Sequence, residues 1–377
     1  GGDLSGREGC PDPPKEELAS DAGGGTQPVK KRKCPNPALE DFRRRPPEER
    51  VRRFWEFVIE AVRGENSSEP LCQRYLLGGV LPFIADVATV TREVLIPWHD
   101  NIAEQLWRVM VVVWLGGGGP GFQSFRHITG DALLCGERCS ETARLPLLHT
   151  ACDLLGLYEH LKQLAEKHGR SAVLSGDGRA VNFRFTPKQG VDVLRAWRDC
   201  VRRLVARTGG THEGLEALGP REIYSHMLSA PWMGPLAVKE YFCYLYAAFP
   251  VSIDVDVCLP VGGGAIAGGQ AVCGISGDKG VDWHGEFLRL ARTIPMELGD
   301  RLAGAIREQA ANCPFRDDMR VPGAVQQLRG GWPTAADVEV CMCFFMNFLR
   351  AKRSGGLPHS WSMLTRSKWG PPGELET

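Results

Sequence analysis

The stretch that decides the fold runs from Ile223 to Gly269 and reads IYSHMLSAPWMGPLAVKEYFCYLYAAFPVSIDVDVCLPVGGGAIAGG. A helix ending near Ser229 is followed by the short segment Ala230–Gly234. Pro235 then stands where proline favours the start of a new helix. The pattern predicts two helices joined by a tight hairpin turn. Backbone N–H groups at such a helix start can hold a phosphate without reading a base.

The hairpin supplies the candidate DNA contacts of the central region. An exposed indole at its tip would stack on a base or wedge into a duplex. Packing of that ring into the core is an equally consistent alternative. The candidate residues are Trp232, Met233, Gly234 and Pro235.

Two carboxylates follow the hairpin, and Asp254 lies twenty residues beyond Gly234. Apolar residues alternate with Asp254 and Asp256, so an extended segment would point both acids to one side. In an acid-rich pocket, one carboxyl with a raised pKa can act as a general base. The two acids are therefore candidate catalytic residues, and helix capping or solvated loop positions are the alternative.

A glycine-rich run after these acids is a candidate phosphate or substrate turn. Its backbone N–H groups would cradle an anion, although glycines here would equally allow two helices to approach closely. The residues of this turn are Gly262, Gly263, Gly264 and Ala265.

Four other side chains are weaker candidates. His99 and His284 are expected to be structural, as is usual for a lone histidine near a helix end. Asp337 and Glu339 precede an apolar helix, where N-capping and the helix dipole explain acids without catalysis.

Apolar residues recur at helical spacing along most of the chain, which predicts a mainly α architecture with long loops around 262–282 and 313–333. The short piece AVNFRF (180–185) alternates like a strand. The domain plan is a disordered tail at 1–50, a helical domain at 51–353 and a basic, Gly/Pro-rich tail at 354–377.

The net charge of zero, from 45 basic and 45 acidic side chains, hides an uneven distribution. Residues 28–53 hold ten basic and four acidic side chains, a local charge of +6. Its basic cluster is predicted to bind DNA or polyphosphate, or to serve as a nuclear-localisation signal in an intracellular protein. A solvated linker is the alternative. The cluster consists of Lys30, Lys31, Arg32 and Lys33.

The thirteen cysteines are scattered and odd in number, which predicts mostly free thiols in a reducing compartment. No apolar run approaches the roughly 20 residues of a membrane span, so no membrane association is expected. We expect no metal site and no cofactor, because the cysteine pairs lack zinc-finger spacing and the GxxxxGK[ST] phosphate loop is missing.

The spacing from Gly234 to Asp254 resembles the helix–hairpin–helix DNA glycosylase superfamily, which grips the DNA backbone and acts on a flipped-out nucleotide. Trp232 stands at the position of the first hairpin glycine in that superfamily. Leu236 stands at its lyase lysine, which argues against a Schiff-base mechanism.

A closer resemblance, over most of residues 50–350, is to the alpha-glutamyl/putrescinyl thymine pyrophosphorylase family, also described as the helical domain of 5-hydroxymethyl-deoxyuridine DNA kinases. The supporting blocks are Phe54–Glu60, Leu81–Arg92, Met233–Ala265 and Ala336–Glu339 with Cys343.

This resemblance implies a transferase that acts on a hypermodified thymine or 5-hydroxymethyluracil in DNA, near Asp254, with DNA and a separate kinase as partners. An amine or amino acid would replace pyrophosphate on the methylene carbon of the base. Asp86-Val-Ala-Thr stands where the family has an Asn-Val-x-Arg-like segment. This difference favours a second hypothesis, a catalytically silent DNA-binding or scaffold module. A third hypothesis is a monofunctional DNA glycosylase.

Overall fold

The described part of the chain is built from helices. The structure, a computed structural model, describes residues 37–64, 68, 87, 90–114, 187–257, 259–277, 280–311, 313–329 and 333–354. A π-helical turn at Thr91–Leu95 precedes α3. The predicted mainly α class is confirmed. The helices are α1 (Pro37–Arg44), α2 (Pro47–Arg63), α3 (Ile102–Trp114), α4 (Pro187–Thr208), α5 (His212–Leu218), α6 (Pro220–Leu228), α7 (Pro235–Leu245), α8 (Gly263–Cys273), α9 (Trp283–Arg292), α10 (Met296–Ala310), α11 (Pro322–Leu328) and α12 (Ala335–Ser354).

Helices α6 and α7 lie where the sequence predicts them. Each begins with a proline at its first turn, and Gly234 is the N-cap of α7. Proline is favoured there because its fixed φ suits a helix and its missing N–H would have no intrahelical partner. The six residues from Ser229 to Gly234, called the hairpin turn below, connect the two helices.

The predicted long loop at 262–282 is wrong, because α8 occupies its first half. Glycine has low helix propensity, but tertiary packing stabilises this helix. A Cβ added to Gly268 would lie 2.5 Å from the carbonyl oxygen of Met342 in α12. A Cβ on Gly269 would lie 2.6 Å from the Trp283 ring in α9. The glycines therefore permit close helix contacts that larger residues would prevent.

The predicted loop at 313–333 is also wrong, since α11 lies within it. Pro322 stands in the first turn of α11. The N–H of Gly323 donates to the carbonyl of Ala247 at 3.0 Å, which attaches α11 to the segment after α7. A contact between residues so distant in sequence leaves no local signal.

The predicted tail at 1–50 is too long at its C-terminal end, because α1 and the start of α2 fall within it. Arg50 is buried, and its Nη1 donates to the carbonyl of Arg43 at 3.1 Å. Its guanidinium also lies beside Gly274, at the C-terminus of α8. The buried guanidinium of Arg50 thus lies at the C-terminal ends of both α1 and α8, where the helix dipole favours a positive charge.

Three predictions fall wholly or partly on residues outside the described part of the chain: the tail over residues 1–36, the strand at 180–185, and the C-terminal tail beyond 354. None of the described helices combines the length and apolar character that a membrane span needs.

Two apolar cores are joined by α12. The first gathers α3, which is buried along its whole length, with α4, α6 and α7. The second gathers α1, α2, α8, α9 and α10 around α12, with Phe345 at the centre of an aromatic cluster. Near the start of α12, Ala336 packs in the first core and Val338 in the second. The N-terminus of α12 therefore lies at the junction of the cores.

We expect Gly268→Ala to lower the free energy of unfolding by about 1–3 kcal/mol, because the new methyl group would push α8 away from the α12 backbone. Gly304→Ala is the matched control, since Gly304 lies within α10 and no atom of the described residues lies within 4 Å of its added Cβ. That change should raise stability by about 0.5–1 kcal/mol through helix propensity. Urea denaturation of both variants tests the contact, and equal shifts would contradict it.

Candidate functional site: carboxylates at the start of α12

The predicted catalytic acids lie in a pair of turns, Val251–Val257, which we call the acid turn. The alternation of side chains predicted an extended segment, but the structure has turns here. The expected pattern of burial is nevertheless present, since Ile253 and Val255 are buried while Asp254 and Asp256 are half-buried. The N–H of Asp256 donates to Oδ1 of Asp254 at 2.8 Å. This bond closes the turn and holds the two acids close together.

Asp256 connects the acid turn to α12. Its Oδ1 accepts the N–H of Ala335, the first residue of α12, at 2.7 Å. Its backbone carbonyl accepts a hydrogen bond from His284 Nε2 at 3.0 Å. Burial raises the pKa of Asp256, the Ala335 N–H opposes that rise, and the charge of Asp254 adds to it. One predicted acid therefore serves as a helix cap, and His284 has the structural role expected of it.

Asp337 belongs to a reciprocal capping box at the start of α12. Its Oδ2 accepts the N–H of Thr334 at 2.8 Å and the Thr334 hydroxyl at 2.9 Å, while its own N–H donates to that hydroxyl at 3.2 Å. The capping role predicted for Asp337 is confirmed. Burial raises the pKa of Asp337 to about 6, and the charge of Asp256 contributes to the rise.

Glu339 forms a buried ion pair rather than a cap. Its Oε2 accepts a hydrogen bond from Lys239 Nζ of α7 at 2.7 Å. Its Oε1 accepts the N–H of Gly262, just before α8, at 2.9 Å. One carboxylate thus connects α7, α8 and α12.

The predicted phosphate turn at Gly262–Ala265 is not a free loop. Gly263 to Ala265 form the first turn of α8, and the N–H of Gly262 already binds the Glu339 carboxylate. A Cβ on Gly264 would lie 2.8 Å from Cys343 Sγ, so this glycine allows α8 and α12 to approach, as the alternative interpretation proposed. The N–H of Gly262, which was expected to bind a phosphate, therefore binds a carboxylate of the protein itself.

The hairpin turn exposes Trp232 and buries Met233. The indole N–H of Trp197 in α4 donates to the carbonyl of Pro231 at 3.0 Å and fixes the turn from behind. Among the described residues no side chain caps α7, and both Gly234 and Pro235 are exposed. The alternative in which Trp232 packs in the core is wrong.

The remaining predicted residues lie elsewhere. His99 Nδ1 donates to the Ile96 carbonyl at 3.1 Å, a structural contact of the kind expected for this histidine. The basic cluster Lys30, Lys31, Arg32 and Lys33, like Asp86 of the altered segment, lies outside the described residues.

Sequence reasoning missed Lys239 and Tyr246. Lys239 is the only basic residue of α7, PLAVKEYFCYL, and a single cation in an apolar helix indicates a buried partner. Burial raises the pKa of Tyr246 to about 12, and the charges of Asp337, Asp256 and Asp254 add to the effect. These three acids therefore lie around one region of the fold.

Within the described residues, no three His, Cys, Asp or Glu side chains are arranged to hold a metal ion. The cysteines of this part, Cys200, Cys243, Cys273, Cys313, Cys341 and Cys343, form no disulfide. The site does offer a carboxylate oxygen. Asp254 is half-buried, and its Oδ2 accepts no hydrogen bond from the described part of the chain. A carboxylate so placed can accept a proton from a bound reactant.

No family model, curated protein or solved structure matches this chain. The resemblance to glycosylase-like DNA-modification proteins, and the helix–hairpin–helix glycosylase fold it implies, therefore stay predictions.

Asp337 gives the protein a specific pH dependence. Its pKa in the folded chain, about 6, exceeds the ordinary 3.8, so the folded state holds this proton more tightly than the unfolded state does. The proton on Asp337 therefore stabilises the folded state. This stabilisation is complete at pH values below the pKa of the unfolded chain and is lost as pH rises through 6. At 1.36 kcal/mol per pKa unit, the loss amounts to about 3 kcal/mol.

Asp337→Asn cannot ionise but keeps an acceptor for Thr334. We expect the variant to gain stability relative to the native chain as pH rises from 4 to 7.5, by about 2 kcal/mol, because part of the effect is already lost at pH 4. Urea denaturation of both proteins across this pH range measures the difference. A difference that does not change with pH would contradict the role assigned to this carboxyl.

Proposed function

We propose that the protein modifies a pyrimidine nucleotide in DNA, a hypermodified thymine or 5-hydroxymethyluracil, flipped toward Asp254. The observation that carries the proposal is the position of α7 between two complementary features. The exposed, uncapped hairpin turn precedes α7, and the acid turn follows it. A helix of 11 residues is about 16 Å long, and with the short segment 246–250 it separates the phosphate contact from the carboxylate.

At the hairpin end, the N–H groups of Leu236 and Ala237 belong to the first turn of α7, where helices leave such donors without intrahelical acceptors. Pro235 has no N–H to contribute. Residues 229–238 contain no acidic side chain that would repel an anion, and the dipole of α7 favours one at this end. A DNA phosphate satisfies both the donors and the dipole.

At the acid end, Asp254 is the candidate base. In the transfer reaction implied by the family resemblance, an amine nitrogen forms a bond to the methylene carbon of the base, and the bond from that carbon to the pyrophosphate oxygen breaks. The amine loses a proton, which Asp254 would accept. Asp256 stabilises this arrangement, because its N–H holds Oδ1 of Asp254 and its carboxylate binds Ala335.

A second candidate function is a catalytically silent DNA-binding module. The observation that favours it is that Asp256, Asp337 and Glu339 all have structural partners. In that case the acid turn would stabilise α12, and the hairpin turn alone would act.

Asp254→Asn should lower turnover by about 100-fold or more while leaving the dissociation constant for DNA within about twofold, because the variant loses a general base and keeps the hairpin turn. The substrate is a duplex carrying 5-pyrophosphoryloxymethyluracil with putrescine or glutamate, and mass spectrometry detects the product base. Asp300→Asn, which changes an exposed acid on α10, is the control and should keep full turnover.

Fluorescence anisotropy across a salt series measures binding separately, since phosphate contacts give a linear fall of log affinity with log salt. Parallel loss of turnover and binding in Asp254→Asn would contradict the catalytic assignment. DNA binding without turnover by the native chain would favour the silent module, and release of free base with abasic DNA would identify a glycosylase.

A further inference from the structure

Trp232 combines two features that no other described residue shares. It is the only Phe, Tyr or Trp among the exposed large hydrophobic side chains of the described residues, with 56% of its surface accessible. It is also the one non-glycine residue in this part of the chain with a positive φ, at 61°. The left-handed region is unfavourable for a bulky residue, because Cβ crowds the backbone.

The surrounding turn imposes this conformation. Ala230 and Met233 are buried on either side, and the Met233 N–H donates to the Ala230 carbonyl at 3.1 Å. Trp197 holds the Pro231 carbonyl from α4. Glycine would adopt the same φ without strain, so the indole does not stabilise its own turn through backbone preference. With more than half of its surface exposed, it also gains less from burial than a core tryptophan does.

The surroundings of the ring indicate what it binds. Trp232 lies just before the uncapped start of α7, where backbone donors and the positive end of the helix dipole favour a phosphate. An aromatic face beside a phosphate contact suits one nucleotide, with its base on the ring and its phosphate at the helix start. We infer that Trp232 stacks on an unpaired nucleobase of the DNA. The inference rests on the proposed function and specifies which DNA the hairpin turn selects.

Binding of two labelled duplexes tests this inference, one fully paired and one with a single unpaired thymine, by fluorescence anisotropy with the full chain at fixed salt. Trp232→Gly should weaken binding to the unpaired-thymine duplex about tenfold, which is within the range measured for loss of one base–aromatic stack. Affinity for the paired duplex should change less than twofold. Trp232→Phe should restore most of the preference.

Thermal unfolding separates a binding role from a structural one. Trp232→Gly removes both the backbone strain and the buried part of the ring, so its melting temperature should stay within a few degrees of the native value. Met296→Ala removes an exposed side chain of α10, 79% accessible, and should change neither affinity nor preference.

Three results would overturn the inference. Native-like affinity of Trp232→Gly for both duplexes would show that the ring makes no stacking contact, while leaving the proposed function intact. A melting temperature lowered by more than a few degrees, with equal loss on both duplexes, would show that the ring is structural. Failure of the native chain to bind either duplex would reject the inference together with the proposed function.

Discussion

The buried ion pair between Lys239 and Glu339 is the interaction on which the arrangement of the site depends. Its 2.7 Å contact joins α7 of the first core to α12 of the second, and the other oxygen of Glu339 binds the N–H of Gly262. A buried carboxylate with one charged and one neutral donor is well satisfied, whereas removal of either charge would leave the other without its partner. The starts of α8 and α12 are therefore fixed relative to α7.

The acid turn is fixed by the same junction. The acid turn follows α7 in the chain, and its Asp256 accepts the first N–H of α12. It is therefore attached to the two helices that the ion pair connects. Asp337 completes the cap of α12 from inside the fold. Asp254 and Asp256 are both half-buried, and each keeps an Oδ2 without a donor among the described residues, but only Asp256 binds α12. Helix capping thus explains why the acids cluster, and it leaves Asp254 as the acid of this turn that makes no contact with α12.

Local chemistry made part of this fold predictable. Pro235 specifies where α7 begins, the helical spacing of apolar residues predicts most other helices, and the capping role of Asp337 follows from its place before an apolar run. The helix α8 was not predictable, because its glycines are typical of a turn and only the close approach of Met342 and Trp283 makes them helical. Lys239 and Glu339 are 100 positions apart, so their pairing leaves no local pattern.

A double-mutant cycle on Lys239→Met and Glu339→Gln tests the central claim most directly. Glutamine at 339 keeps an acceptor for Gly262, so the cycle isolates the ionic contact with Lys239. Urea denaturation should show that Lys239→Met alone costs about 3–5 kcal/mol, because it leaves a buried carboxylate unpaired. The double variant should be more stable than the sum of the single losses predicts, by about 2 kcal/mol or more. Losses that add within about 0.5 kcal/mol would contradict the claim that this pair holds the two cores and the acid turn together.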